Sequence, residues 1–279
     1  MLVYVFYTLY RSILENFFIR RFTLNHTICA CVEMETTDLY SSIFKRKSIR
    51  RYESVPLDED TIAKITNHIA MVKPLYSNIK TELKILPGNT VNGLFSVKAP
   101  HYLAIFSEEK EGYQQNAGFI LQQMDLYFSA NGIGSCWLGL AKPSKQYVKS
   151  SGLNFVITLA FGKPSEPLHR KEVGEFKRLS LERITDVKGM ENLLEPARLA
   201  PSASNSQTWF FTGSGGRINV YIAKAAILNK LSLVDGGIAI CHIWLAANHQ
   251  GKNFEALMDQ EAAKNLPKSK IYLATIKVS

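Results

Sequence analysis

The sequence predicts an α+β fold made of two tandem halves. Three observations predict it: helical and strand patterns interleave from residue 36 onward, a strand-plus-helix pair recurs at a fixed offset, and the composition suits a packed core. With 279 residues, of which 46% are hydrophobic, and with 17 Gly and 10 Pro, disordered and fibrous classes are excluded.

The elements follow in order. "DLYSSIFKR" reads as a first helix and "PLDEDTIAKITNHIAMV" as a second, with Asp58 placed to cap it and acidic residues in its first turn. "TELKIL" and "HYLAIFS" read as strands. They lead into a long apolar helix, "NAGFILQQMDLYFSANG", then "GIGSCWLG" as a loop, and "FVITLAFG" as a third strand.

"HYLAIFS" at His101 is echoed by "VYIAKAA" at Val220, and "AGFILQQMDLYFSANGI" at Ala117 by "GGIAICHIWLAANHQGK" at Gly236. Both pairs are 119 positions apart, which reads as a duplication, a dimer fused into one polypeptide. The halves expected are 34–168 and 169–279, with "LHRKEVGEFKRLSLERITDV" as the hinge, opening a helix that matches "PLDEDTIAKIT".

Residues 1–33 differ from the rest. "MLVYVFYTLYRSILENFFIRRF" is aromatic and apolar but broken by Arg11 and Glu15, too short a run for a membrane span and without the layout of a secretory signal. It reads as an extension outside the core, with a membrane-surface anchor as the alternative. The four cysteines have no metal-ligand spacing, which favours a reducing, cytoplasmic setting and no metal.

A net charge of +9 favours anionic partners, yet the basic residues are spread apart from "KRKSIRR", Lys45 to Arg51. Alone, that run reads as a solvated basic face or a nucleic-acid patch. Aromatics do not interleave with the charges, so no nucleic-acid partner is expected. "LAPSASNSQTWFF", Leu199 to Phe211, is rich in hydroxyl and amide groups and carries no charge. Alone, it reads as a loop with capping residues.

Taken together, "FKRKSIRRY", "LAPSASNSQTWFF" and "GIGSCWLG" resemble the FMN-dependent nitroreductase family, over residues 36 to 279, in its single-chain tandem-half branch. The resemblance implies a nitroreductase-like fold: each half has a central, mainly antiparallel sheet flanked by helices, and the two form an internal pseudo-dimer. It implies one FMN per chain, clasped between the basic run of the first half and the Ser/Asn run of the second, with the twin site decayed. NAD(P)H would be the electron donor and a nitroaromatic, quinone or enone the acceptor. The alternative is an FMN-binding protein of the same fold with different flavin chemistry or no turnover.

Arg46, Lys47, Ser48 and Arg50 would supply the cations and donors FMN needs; by the family pattern, Arg46 and Ser48 lie near the phosphate and ribityl chain, while Arg50 reaches the N1 and O2 edge, where charge develops on reduction. Pro201, Ser202, Ala203 and Asn205 would offer neutral hydrogen bonds to the pyrimidine edge and ribityl hydroxyls, and Gln207 would orient the turn. Gly132 and Gly134 would let the backbone approach the flat ring, and the amides of Gly134 or Ser135 would donate toward N5 and O4. Their bland reading is a glycine-ended helix leading into a buried strand. Arg178, with Lys177, Arg170 and Lys171, is a candidate second phosphate contact or a charged linker. No histidine pair or nucleophilic triad is defensible, in keeping with chemistry carried by a flavin. The protein is expected as a monomer or a homodimer.

Overall fold

The computed structural model describes residues 38–93, 97–224 and 229–279. The N-terminal extension expected at 1–33 lies outside these. The first half opens with α1 (Leu39–Ile43), capped by Asp38, and α2 (Glu59–Ile69), where Asp58 accepts the N–H of Thr61 at 2.7 Å as the sequence predicts. Then follow β1 (Thr81–Pro87), β2 (Val91–Gly93), β3 (His101–Ser107), α3 (Tyr113–Ala130), β4 (Gly134–Leu138), β5 (Ala141–Pro143), α4 (Lys145–Ser151) and β6 (Asn154–Gly162). "GIGSCWLG" is therefore not a loop. It closes α3 through Gly132, whose φ is +77°, and becomes a strand because Gly134 to Leu138 pair with β6.

After a 3-10 turn at Val173–Phe176 come α5 (Leu181–Ile184), α6 (Glu191–Arg198), a second 3-10 turn at Ala203–Asn205, β7 (Trp209–Thr212), β8 (Arg217–Ala223), α7 (Asn229–His249), β9 (Phe254–Leu257), α8 (Gln260–Lys264) and β10 (Lys270–Val278). The hinge forms only a four-residue turn of helix at α5. The helix preceding the Ser/Asn loop is α6.

Two four-stranded antiparallel sheets result, β1-β3-β6-β4 and β7-β8-β10-β9, and in each the long helix falls between the second and third of that sheet's strands in chain order. A short β2-β5 ribbon sits beside the first. The core lies along α3 and α7, which pack on each other more extensively than any other helix pair. α7 is apolar and long enough to cross a membrane, but it is a buried core helix here.

The α3–α7 crossing is reciprocal. A Cβ on Gly118 would lie 2.1 Å from the carbonyl oxygen of Val234, and one on Gly237 would lie 2.0 Å from that of Gln115. Gly118 and Gly237 stand 119 positions apart, and so do Gln115 and Val234.

Candidate functional site

A groove runs between the "KRKSIRR" segment and the Ser/Asn loop. One end is an apolar cavity of about 340 Å³ walled by Cys136 to Ala141, Ile157, Leu231, Asp235 and Ile238. The other, of about 650 Å³, is walled by Arg46, Lys47, Arg50, Arg51, Arg170, Lys177 and Arg178 against Glu166 and Glu175. Ser48, Arg50, Pro201, Ser202 and Ser204 line both, so the two ends are continuous.

The basic run is held extended by short bridges. Ser48 pairs with Ser135 of β4, and the N–H of Ile49 donates to the Ser135 carbonyl at 2.8 Å. Gly134 is needed there, since a Cβ would meet the Ile49 side chain at 2.9 Å. The alternation sends Ile49 into the core and leaves Ser48 and Arg50 on the groove. Arg46 is buried beneath, with Nε 3.0 Å from Asp125 Oδ2, a charge contact lacking the alignment of a hydrogen bond, and with Nη2 donating to Ser48 Oγ at 3.1 Å. Ser135 Oγ donates to Asp125 Oδ1 at 2.6 Å. Lys47 and Arg51 face Glu166, which accepts the N–H groups of Arg50 and Arg51 at 2.8 and 3.2 Å and is held below the usual carboxylate range chiefly by the Arg50 N–H.

The Ser/Asn loop is locally strained: Ser204, Asn205 and Gln207 have φ of +52°, +57° and +48°. Each such residue costs about 1–3 kcal/mol unless its surroundings impose it. The surroundings are visible. Asp235 accepts the Ala203 N–H at 3.1 and 3.2 Å, Ser202 Oγ accepts the Gln207 N–H at 2.9 Å, Gln207 Oε1 accepts the Leu179 N–H at 2.7 Å, and Arg178 donates to Asn205 Oδ1. Trp209 packs buried below.

Arg178 and Arg170 both lie over the ring of Phe176, at 5.7 and 4.1 Å from its centroid. Burial, then the neighbouring guanidinium of Arg46, lowers Arg178 to about 9 and Arg170 to about 10. Three partly or fully buried arginines facing one cavity repel one another, and Arg178 Nε is buried with no hydrogen-bond partner among the described residues. An anion with several acceptor oxygens relieves both costs.

Of the residues singled out in the sequence, Arg46, Lys47, Ser48, Arg50, Pro201, Ser202, Ala203, Asn205 and Arg178 line the groove. Gly132 is exposed at the helix end, Gly134 and Ser135 are buried in β4 behind the wall, and Gln207 is buried inside the loop. From "GIGSCWLG", the residues that reach the cavity are instead Cys136 to Gly139. Sequence reading missed Asp125, Asp235 and Glu166. The first two were signalled, each a lone carboxylate inside an otherwise apolar helical run.

A family model described as "Putative TM nitroreductase" matches residues 38–247. The chain belongs to this family. Its fold is similar to that of a solved nitroreductase-family structure from Thermotoga maritima, with a TM-score of 0.60 at 20% identity over 86% of this chain and 93% of that one. An FMN-dependent nitroreductase from Clostridium difficile R20291 matches 53% of this chain and 96% of its own at 15% identity and TM-score 0.38. A nitroreductase family protein from Clostridium difficile 630 matches 52% and 94% at 14% identity and TM-score 0.41. No curated protein matches the chain. The nitroreductase fold accounts for the mixture of helices with antiparallel sheets.

Proposed function

We propose that this nitroreductase-family chain is an FMN-dependent oxidoreductase that takes electrons from NAD(P)H and passes them to a nitroaromatic, quinone or similar small acceptor. The observation that carries the reading is the continuous groove, cationic at one end and apolar at the other, walled by the basic run on one side and the Ser/Asn loop on the other. That is the charge layout of FMN, a phosphate dianion at one end of a flat ring system. The donor set fits the group.

FMN supplies hydride chemistry when bound. The chain's own residues bind and orient it. Arg46, Arg170 and Arg178 neutralise the phosphate, and Arg178 gains a partner for its orphaned Nε. Arg50, which lines both ends, supplies a fixed positive charge toward the edge that gains negative charge on reduction. Ser202 and Ser204 present hydroxyls without charge. Trp137, Leu138 and Ile238 give the ring an apolar wall that limits water.

The same reading makes the chain an internal pseudo-dimer of halves 34–168 and 169–279 with one working site. Equal strand order in both sheets and the reciprocal Gly118 and Gly237 contacts support it. At the positions 119 residues away from Asp235, Ile238 and Asp125 stand Asn116, Phe119 and Trp244. Phe119 packs on Trp244 at 5.3 Å and on Phe254 at 6.5 Å, so aromatic side chains occupy the twin position.

Anaerobic addition of NADH or NADPH to FMN-loaded protein tests the proposal. Bleaching of the oxidised flavin band, and its return on adding a quinone or nitroaromatic, is the expected result. Bound FMN that neither nucleotide reduces would overturn the oxidoreductase reading and leave a flavin-binding protein.

A further inference from the structure

Asp235 on α7 and Asn116 on α3 occupy matching positions, 119 residues apart, and do the same mechanical work. Asn116 Oδ1 accepts the backbone N–H groups of Leu75 and Tyr76 at 2.8 and 3.0 Å, fixing the loop after α2. Asp235 accepts the Ala203 N–H, fixing the loop after α6. A neutral amide oxygen is therefore enough to hold such a loop.

The difference between the two is the ability to carry a proton. Asp235 is 4% exposed, and its two oxygens share one N–H as their only hydrogen bond among the described residues. Burial pushes its carboxyl up to about 7. The other charged or titratable groups lining the apolar end are Arg50, opposite, and Cys136 on β4, whose thiol burial keeps protonated. Lys230, on the same helix, is exposed, and from α3 the nearby side chains Gln115 and Asn116 are neutral. The acid also stands only on the side where the groove is open, since aromatic rings fill the other.

We infer that Asp235 is a proton-holding positioning residue of the ring end: when a flat heteroaromatic ligand bearing carbonyl oxygens enters, the carboxyl binds one proton from solvent and donates it as an O–H···O hydrogen bond to that ligand. The inference rests on the flavin reading above. An entering ring removes the remaining water from Asp235, which raises the cost of its charge and favours the neutral acid, the only form able to donate. Binding is then linked to uptake of one proton.

Riboflavin is the probe, because it lacks the phosphate whose own titration would interfere. Its affinity, read by quenching of flavin fluorescence from about pH 6 to about pH 9, falls up to tenfold per pH unit above about 7 in the natural chain. In Asp235→Asn, which copies the Asn116 arrangement and so keeps the loop, the profile is flat. Infrared difference spectra provide a second readout: binding at pH 8 produces a protonated-carboxyl band in the natural chain that Asp235→Asn lacks. Equal slopes in both proteins, or binding without that band, would overturn the inference while leaving the flavin reading intact. Absence of riboflavin and FMN binding in both proteins at every pH would remove the flavin reading, and the inference with it.

Discussion

Arg46 and Asp125 form an ion pair, Nε to Oδ2 at 3.0 Å, whose side chains are 2% and 0% exposed. It fastens the basic run to α3, and through Ser135 the same carboxylate fastens β4. The wall of the groove thus depends on one buried acid. Removing one partner of such a pair leaves an uncompensated buried charge, so Asp125→Asn is expected to cost about 3–5 kcal/mol. Denaturant unfolding measures it. The double variant Asp125→Leu, Arg46→Met should recover much of that stability while still losing affinity for FMN, which separates the structural from the ligand-binding share of Arg46.

Arg178 should act on the phosphate and not on the ring. Arg178→Ala is expected to weaken FMN binding at least tenfold, about 1.4 kcal/mol or more, and to leave riboflavin affinity within about threefold. Inorganic phosphate should raise the melting temperature of the natural chain, since a ligand at 100 times its Kd adds about 2.7 kcal/mol. The variant should show a smaller rise.

Gly118 and Gly237 set the approach of α3 and α7. The atoms a Cβ would strike are backbone carbonyls, which cannot rotate away. Gly118→Ala or Gly237→Ala should therefore destabilise by about 1–3 kcal/mol or more, and the valine variants further, in thermal unfolding. A neutral result at either position would contradict the crossing geometry.

Acid stability should show two opposing trends. Burial lowers His242 to about 3, from 6.5, so between those values the unfolded chain binds a proton that the folded chain refuses, and stability rises with pH. Asp235 is raised from 3.8 to about 7, so over that span the folded chain keeps a proton that the unfolded chain has lost, and stability falls with pH. Asp235→Asn should leave the His242 rise unopposed, so steeper by up to about 1.4 kcal/mol per pH unit where the two trends overlap, and make the variant about 2–4 kcal/mol more stable than the natural chain at pH 8. Unfolding free energies measured along the pH scale check both signs.

The sequence was most legible where chemistry and periodicity coincide. The Asp58 cap, the strands at Thr81 and His101 and the two long helices follow from local patterns. β4 was missed because Gly134, read as loop punctuation, serves a close approach to Ile49. The hinge helix failed for a different reason: "KRLSLERI" has helical residues but ends at Thr185, whose backbone and hydroxyl bind Phe211 across a long sequence separation. At the site, the groove-facing runs could be picked out from residue type. Asp125 and Asp235 stood out only as lone carboxylates in apolar helical runs, and what they do was not legible, because it lies in burial and in partners 79 and 32 residues away, Arg46 and Ala203.

The central claim, one flavin in one groove per chain, is tested most directly by the FMN content of purified, FMN-saturated protein, from flavin released on denaturation against chain concentration. One FMN per chain is the predicted result. Two per chain would mean that the position filled by Phe119, Trp244 and Phe254 also opens to a flavin, and none after reconstitution would contradict the assignment of the groove.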